Sequence, residues 1–190
     1  MIITHQGGGS LKISHGELSL VVNPSAKTSA DVTLFSTAAA AVDATSEKSG
    51  FVITGPGEYE VKDIFIKGFL SQGKDGYNTI YLVSFEGMKL CILGALANSE
   101  LKSELIETLE DIDILFVPAG GASVLEPAAA YKLAVSLEPS IIIPTHVDKT
   151  SLAQFLKEGG QATVAAIEKY VVKKKDLEGK EGEVVVLKEE

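Results

Sequence analysis

Along the first half of the chain, apolar and polar residues alternate at a spacing of two, the pattern of short strands with one covered face. Ile2-Ile3-Thr4 leads into the glycine cluster Gly7-Gly8-Gly9. Leu11-Lys12-Ile13 alternates, His15-Gly16-Glu17 turns, and Leu18-Ser19-Leu20-Val21-Val22 runs on until Asn23-Pro24 stops it. Asp31 to Phe35 reads as the next strand, and Ser36-Thr37 is expected to open a helix through Ala38 to Ala41. Phe51-Val52-Ile53, Tyr59 to Lys62 and Ile64 to Lys67 are further strands, with Gly55-Pro56-Gly57 as a sharp turn. Thr79 to Val83 and Met88 to Leu93 flank Glu86-Gly87, which predicts a hairpin.

After residue 97 the rhythm changes. Leu101, Leu105, Ile106 and Leu109 share one face of a helix that Asn98 or Ser99 would cap. Ile112 to Val117 is a strand of the fully buried type. A helix after Pro127 carries Ala130, Leu133, Ala134 and Leu137 and ends at Glu138-Pro139. Ile141-Ile142-Ile143 is a second buried strand. Thr150-Ser151 is expected to cap a short helix with Leu152, Phe155 and Leu156, which Gly159-Gly160 terminates. Two or three strands close the chain, among them Val184 to Leu187. Apolar strands between helices imply covered sheets and an α/β (α+β) class. The 190 residues fit one domain, 1–190, with a β-rich half 1–97 and an alternating half 98–190 sharing one core.

Charge narrows the partners. A net charge of −9 disfavours a nucleic-acid face. The one basic run, Lys173-Lys174-Lys175, reads as a solvated strand end. No segment approaches the ~20 apolar residues of a membrane span, and Met1 to His5 lacks the basic start of a signal peptide. The expectation is a cytoplasmic protein that binds neither nucleic acid nor membrane. A single cysteine, Cys91, within Leu90-Cys91-Ile92-Leu93, excludes a disulfide framework and a cysteine zinc site, and reads as a small buried hydrophobe.

Several stretches then resemble the metallo-β-lactamase superfamily, in particular its small stand-alone zinc-dependent hydrolases. They are Gly55 to Val61, Asn78 to Leu82, Leu93-Gly94-Ala95-Leu96, Asp113 to Gly121 and Ile143-Pro144-Thr145-His146, in the family's order and across nearly the whole chain. The resemblance implies a four-layer αββα sandwich with its site at one edge, where strand-end loops meet. It also implies two cations, usually zinc, sharing a water whose pKa they lower toward ~7. The family's ligands are an H-x-H-x-D-H loop, a later histidine, a bridging aspartate and a final histidine.

This chain departs from that set. Ser36 stands where the loop begins, the first two histidines fall on Thr37 and Ala39, the aspartate on Ala41 and the last histidine on Val42. The later histidine belongs near Ser71-Gln72-Gly73, and the bridging aspartate falls on Ala95. The family's N-terminal glycine-histidine turn falls on Gly8-Gly9 without its histidine. Only the final histidine remains, as His146, and the chain's other histidines are His5 and His15 alone. One imidazole does not make a catalytic zinc site, which takes three protein ligands. The resemblance therefore implies a non-catalytic member, a pseudo-hydrolase serving as a binding or assembly module, with the two-zinc site lost and no cofactor.

The residues expected around the vacated cleft are Ser36, Thr37, Asn98, Gly120, Gly121, Thr145, His146 and Asp148, with Ser123 as a further hydroxyl. Asp148 stands two residues from His146 and would orient it. Gly120-Gly121 would supply either an unusual turn or backbone N–H groups for an anion. His5 and His15 read as exposed or edge residues. The alternatives are a hydrolase with a rebuilt site around His146, Asp148, Asp43 and His5, or a structural subunit that forms a homodimer through an exposed strand edge or helix face.

Overall fold

A computed structural model describes residues 1–25, 29–37, 50–161 and 163–190. Two sheets carry the architecture. Strands β1 (Ile2–His5), β2 (Leu11–His15), β3 (Leu18–Val22), β4 (Val32–Leu34) and β5 (Phe51–Ile53) form the first. With β12 (Tyr170–Val171) at its edge, its order is β12-β1-β2-β3-β4-β5. The second comprises β6 (Gly57–Val61), β7 (Ile64–Gly73), β8 (Gly76–Phe85), β9 (Met88–Ile92), β10 (Ile114–Pro118), β11 (Ile141–Thr145) and β13 (Glu183–Val184), in the order β13-β11-β10-β9-β8-β7-β6. Both sheets are mixed. Antiparallel hairpins join β6 through β9, and the helical crossovers of the second half make β9, β10 and β11 parallel.

The period of two decides where the core lies. Tyr81, Val83, Leu90, Ile92, Ile114, Phe116, Ile141 and Ile143 face the first sheet and pack there with Ile3, Ile13, Leu20 and Leu34. Their neighbours Ile80, Leu82, Cys91, Leu115, Val117 and Ile142 point to the other face. There they meet Ala130, Leu133 and Ala134 of α2 (Pro127–Ser136) and Phe155 and Leu156 of α3 (Lys149–Glu158). Strands covered on both faces have no polar side to show, which explains their unbroken apolar sequence. Cys91 is fully buried, and burial pushes its thiol pKa up, as expected of a packing residue.

Turn chemistry follows the sequence at Glu86-Gly87, where φ of 53° and 71° make the two-residue hairpin turn that only a glycine-tolerant pair allows. The helix starts differ from expectation. The first described helix, α1 (Ser103–Thr108), has Lys102 at its N-cap with no side-chain cap. Asn98 Oδ1 instead accepts from Glu100 N at 2.9 Å, a local turn that satisfies the amide before a helix can begin. Helix α3 is capped by Asp148, not Thr150, because the aspartate carboxylate accepts from both Thr150 N and Ser151 N. The expected helix over Ala38 to Ala41 lies outside the described residues.

The basic run is also more than a solvated end. A 3-10 turn at Lys174–Leu177 brings Lys174 Nζ within 2.7 Å of both oxygens of Asp113, whose carboxylate is buried and also accepts from Lys89 N at 2.8 Å. A carboxylate at that depth needs such partners to replace its lost hydration.

Candidate functional site at the sheet edge

The site is built on a ring of buried amides and hydroxyls at the ends of β3, β4 and β8. Asn23 follows β3 with φ of 44°. Its Oδ1 accepts from Ser36 N at 2.8 Å and its Nδ2 donates to Ser36 Oγ at 2.9 Å. Ser36 O in turn accepts from Thr79 N at 2.8 Å, and Tyr81 donates its hydroxyl to Phe35 O at 2.9 Å. The loop after β4 is thus tied to β8 across the two sheets.

Asn78 repeats the device one residue earlier on β8. It is fully buried. Its Nδ2 donates to Ser71 Oγ at 2.8 Å and Leu93 O at 2.9 Å, and its Oδ1 accepts from Ala95 N at 2.8 Å. Gly94 between those last two has φ of 65°, and a Cβ there would lie 2.5 Å from Asn78 Oδ1. The Leu93-Gly94-Ala95 turn therefore requires its glycine twice over, for conformation and for space.

His146 ends β11 in a left-handed conformation, φ 58°. Its backbone N–H donates to Gly8 O at 2.8 Å. His5 Nε2 reaches the same carbonyl at 2.8 Å, an arrangement that puts the imidazole proton on Nε2. Glycines give the histidine its room: a Cβ on Gly9 would sit 2.6 Å from His146 Nε2, and one on Gly120 would strike the His146 carbonyl. Thr145 Oγ1 lies 3.2 Å from His146 Nδ1. Burial pushes the His146 pKa down to about 4, and the neighbouring His5 adds to the shift. The ring is neutral at physiological pH.

A cleft of about 450 Å³ opens beside it, lined by Thr37, Gly73, Tyr77, Ala95, Val124 and His146 among others. Lys74 in the β7–β8 turn donates from Nζ to Ala122 O at 2.5 Å. The lining brings together four positions that the sequence resemblance assigns to metal ligands: Thr37, the Ser71-Gln72-Gly73 segment through Gly73, Ala95 and His146. Ala39, Ala41, Val42 and Asp43 lie outside the described residues.

Among the described residues, the donor set does not fit a two-metal centre. No group of three histidine, cysteine, aspartate or glutamate side chains converges anywhere among the described residues. Alanine stands at the bridging position, and the one imidazole is accompanied by the Thr37 and Ser123 hydroxyls. The same lining carries Lys74 and Asp75, so the wall sets polar and charged groups beside an apolar patch.

Of the other expected residues, Ser36 and Thr145 are buried beside the cleft, and Gly120 packs on the His146 backbone. Gly121 has φ of 68° and donates its N–H to Leu125 O, so this loop needs its glycine for a turn. Asn98 is not part of the cleft and borders a different groove. Asp148 is exposed and committed to capping α3, where the N–H groups of Ser151 and Thr150 and the Ser151 hydroxyl keep its pKa low. No hydrogen bond to His146 is present. His5 corrects the expectation of an edge residue: β1 lies inside its sheet between β12 and β2, and the ring is buried under the C-terminal residues, with Glu190 N donating to His5 O. His15 is half-exposed and pairs with Glu86 at 3.3 Å. The sequence reading missed Tyr77, Lys74 and Val124, whose only signal is the Gly73 to Gly76 turn beside them.

Comparison with known proteins places these features. Residues 2–146 match the family described as Beta-lactamase superfamily domain. A Thermotoga maritima structure, described as a candidate zinc-dependent hydrolase of the metallo-β-lactamase superfamily, superposes with a TM-score of 0.80 at 27% identity, covering 100% of this chain and 99% of that one. A candidate metal-dependent hydrolase from Parabacteroides distasonis gives 0.64 at 19% identity, over 99% and 93%. A metallo-β-lactamase fold protein from Bacillus subtilis gives 0.65 at 11% identity, over 98% and 96%. A search of curated protein sequences finds no match.

Proposed function

This chain belongs to the β-lactamase superfamily domain family, and from that premise we propose that it is a non-catalytic, metal-free member acting as a binding or assembly module. One observation carries the reading. The cleft positions that the resemblance assigns to the family's ligands hold Thr37, Gly73 and Ala95, and the one imidazole there, His146, is held neutral and makes no hydrogen bond to a carboxylate among the described residues. The chain reads as one domain, since strands from both halves contribute to one core.

The scaffold supports binding over chemistry. The Asn23–Ser36 and Asn78–Ala95 bonds tie the segments beside the cleft to one another through side-chain amides. A hydrolase rebuilt on His146 and Asp148 has no support here, because Asp148 is spent on the α3 N-terminus. No described helix is long and apolar enough to cross a membrane.

Metal content per chain tests the reading. Protein purified without chelators and re-equilibrated with zinc and manganese is expected to hold less than about a tenth of an equivalent of either. A value near one equivalent overturns it.

A further inference from the structure

We propose that the groove between β7 and α1, which adjoins the cleft without sharing a lining residue with it, docks a basic amphipathic segment of a partner protein. The groove measures about 530 Å³ and is floored by Phe69, Leu70, Leu96, Leu101 and Leu105. Helix α1 buries none of its own residues. Leu101 and Leu105 are only partly covered against the core, while Leu70 stays 59% exposed. A six-residue helix in that condition gains little from its own sequence and leaves its apolar face short of a cover. Contiguous exposed apolar surface with a charged rim marks an interaction site.

Charge selects the occupant. Glu100 and Glu104 line the groove against Lys102, while Glu107, Glu110 and Asp111 follow in the same segment outside its lining. The nearby Lys89 is already engaged with Glu110 O and Asp111. A second copy of this chain would bring the same carboxylates and a further net charge of −9 to the interface. Like charges across an interface oppose association, and opposite charges speed it. An amphipathic segment with leucine-like anchors and flanking lysines or arginines meets both demands, in the manner of a helix laid into a groove.

The inference does not depend on the state of the cleft, so the metal assay above and the following experiment fail separately. The probe is a fluorescent leucine/lysine amphipathic peptide of about five helical turns, with its leucine/glutamate counterpart as control, titrated against the full chain by anisotropy. The leucine/lysine peptide is expected to bind and to weaken with salt, and the leucine/glutamate peptide not to bind. Leu70→Ser, or Leu101→Ser should the first fold poorly by circular dichroism, is expected to weaken binding about tenfold or more. The double variant Glu100→Lys/Glu104→Lys is expected to do the same, whereas Glu17→Lys/Glu168→Lys, with an equal charge change elsewhere, leaves affinity within about twofold. Absence of binding, indifference to the serine variants, or equal loss in both lysine variants overturns the proposal. So does light scattering that shows a dimer which Leu70→Ser dissolves, since the occupant is then a second copy.

Discussion

Gly9 and His146 occupy one space: the glycine's missing Cβ would lie 2.6 Å from the His146 Nε2 atom. The contact joins the turn after β1 to the end of β11, and the His146 N–H bond to Gly8 O locks the same two segments. Gly9→Ala cannot be absorbed without moving the ring, whose own backbone is held at φ 58°. The substitution is expected to cost about 1–3 kcal/mol, the usual toll of overpacking. Urea unfolding measures it. A second reading, the imidazole proton shifts of His146, should change with it, which a loss confined to the glycine turn would not produce.

The neutral state of His146 makes stability pH-dependent with a definite sign. Its pKa is lowered from 6.5 to about 4 in the folded chain. Between those values the unfolded chain binds the extra proton, so acid favours unfolding. The contribution is fully present above pH 6.5 and is lost as pH falls toward 4. The ring is partly exposed, so the loss is expected to be roughly 1–2 kcal/mol. The difference in unfolding free energy between the chain and His146→Gln, compared at pH 7 and pH 5, isolates it from the other histidines. A difference that stays constant between the two pH values would count against the buried neutral ring.

Asn78 is the joint on which the cleft wall turns. It holds Ser71, Leu93 and Ala95 through three bonds from a fully buried side chain. Asn78→Ala leaves an N–H and a carbonyl without partners, and each such orphan costs about 1–3 kcal/mol. Thermal unfolding is expected to show a large loss, and amide exchange at Ala95 should rise with it. Asn78→Asp is expected to be as damaging, since a carboxylate has no hydrogen to give the Leu93 carbonyl.

Much of this was legible beforehand because period-two patterning and turn chemistry are local. Glu86-Gly87 announced its hairpin, and the runs Ile112 to Val117 and Ile141 to Ile143 announced covered strands. The resemblance assigned ligand positions to Thr37, the Ser71-Gln72-Gly73 segment, Ala95 and His146, and Thr37, Gly73, Ala95 and His146 line one cleft. What escaped was set by competition between distant partners. His5 looked like an edge residue until β12 and the last two residues were seen to cover it. Lys174 looked solvated until a residue 61 positions earlier, Asp113, took its ammonium. Asp148 looked like an orienting partner for His146, but its carboxylate caps α3, accepting from Thr150 N and Ser151 N. Sequence distance hides the first two pairings, while in the third a local cap outcompetes a neighbouring ring.

The same register makes a constructive prediction. If the cleft lost its metals only by substitution at the ligand positions, the surrounding bonds should still present those positions correctly. Ala95 is the sharpest case: its N–H stays bound to Asn78 whatever its side chain, and it lines the cleft, so an aspartate there can reach open space. A chain carrying Thr37→His, Ala39→His, Ala41→Asp, Val42→His and Ala95→Asp, together with the native His146, is expected to retain about one equivalent of zinc or more where the parent retains none. Adding His146→Ala should reduce that content, because the final ligand is then gone. Zinc retained equally with and without His146 would mean that the new donors bind metal elsewhere, and the correspondence between this cleft and the family's metal centre would fall with it.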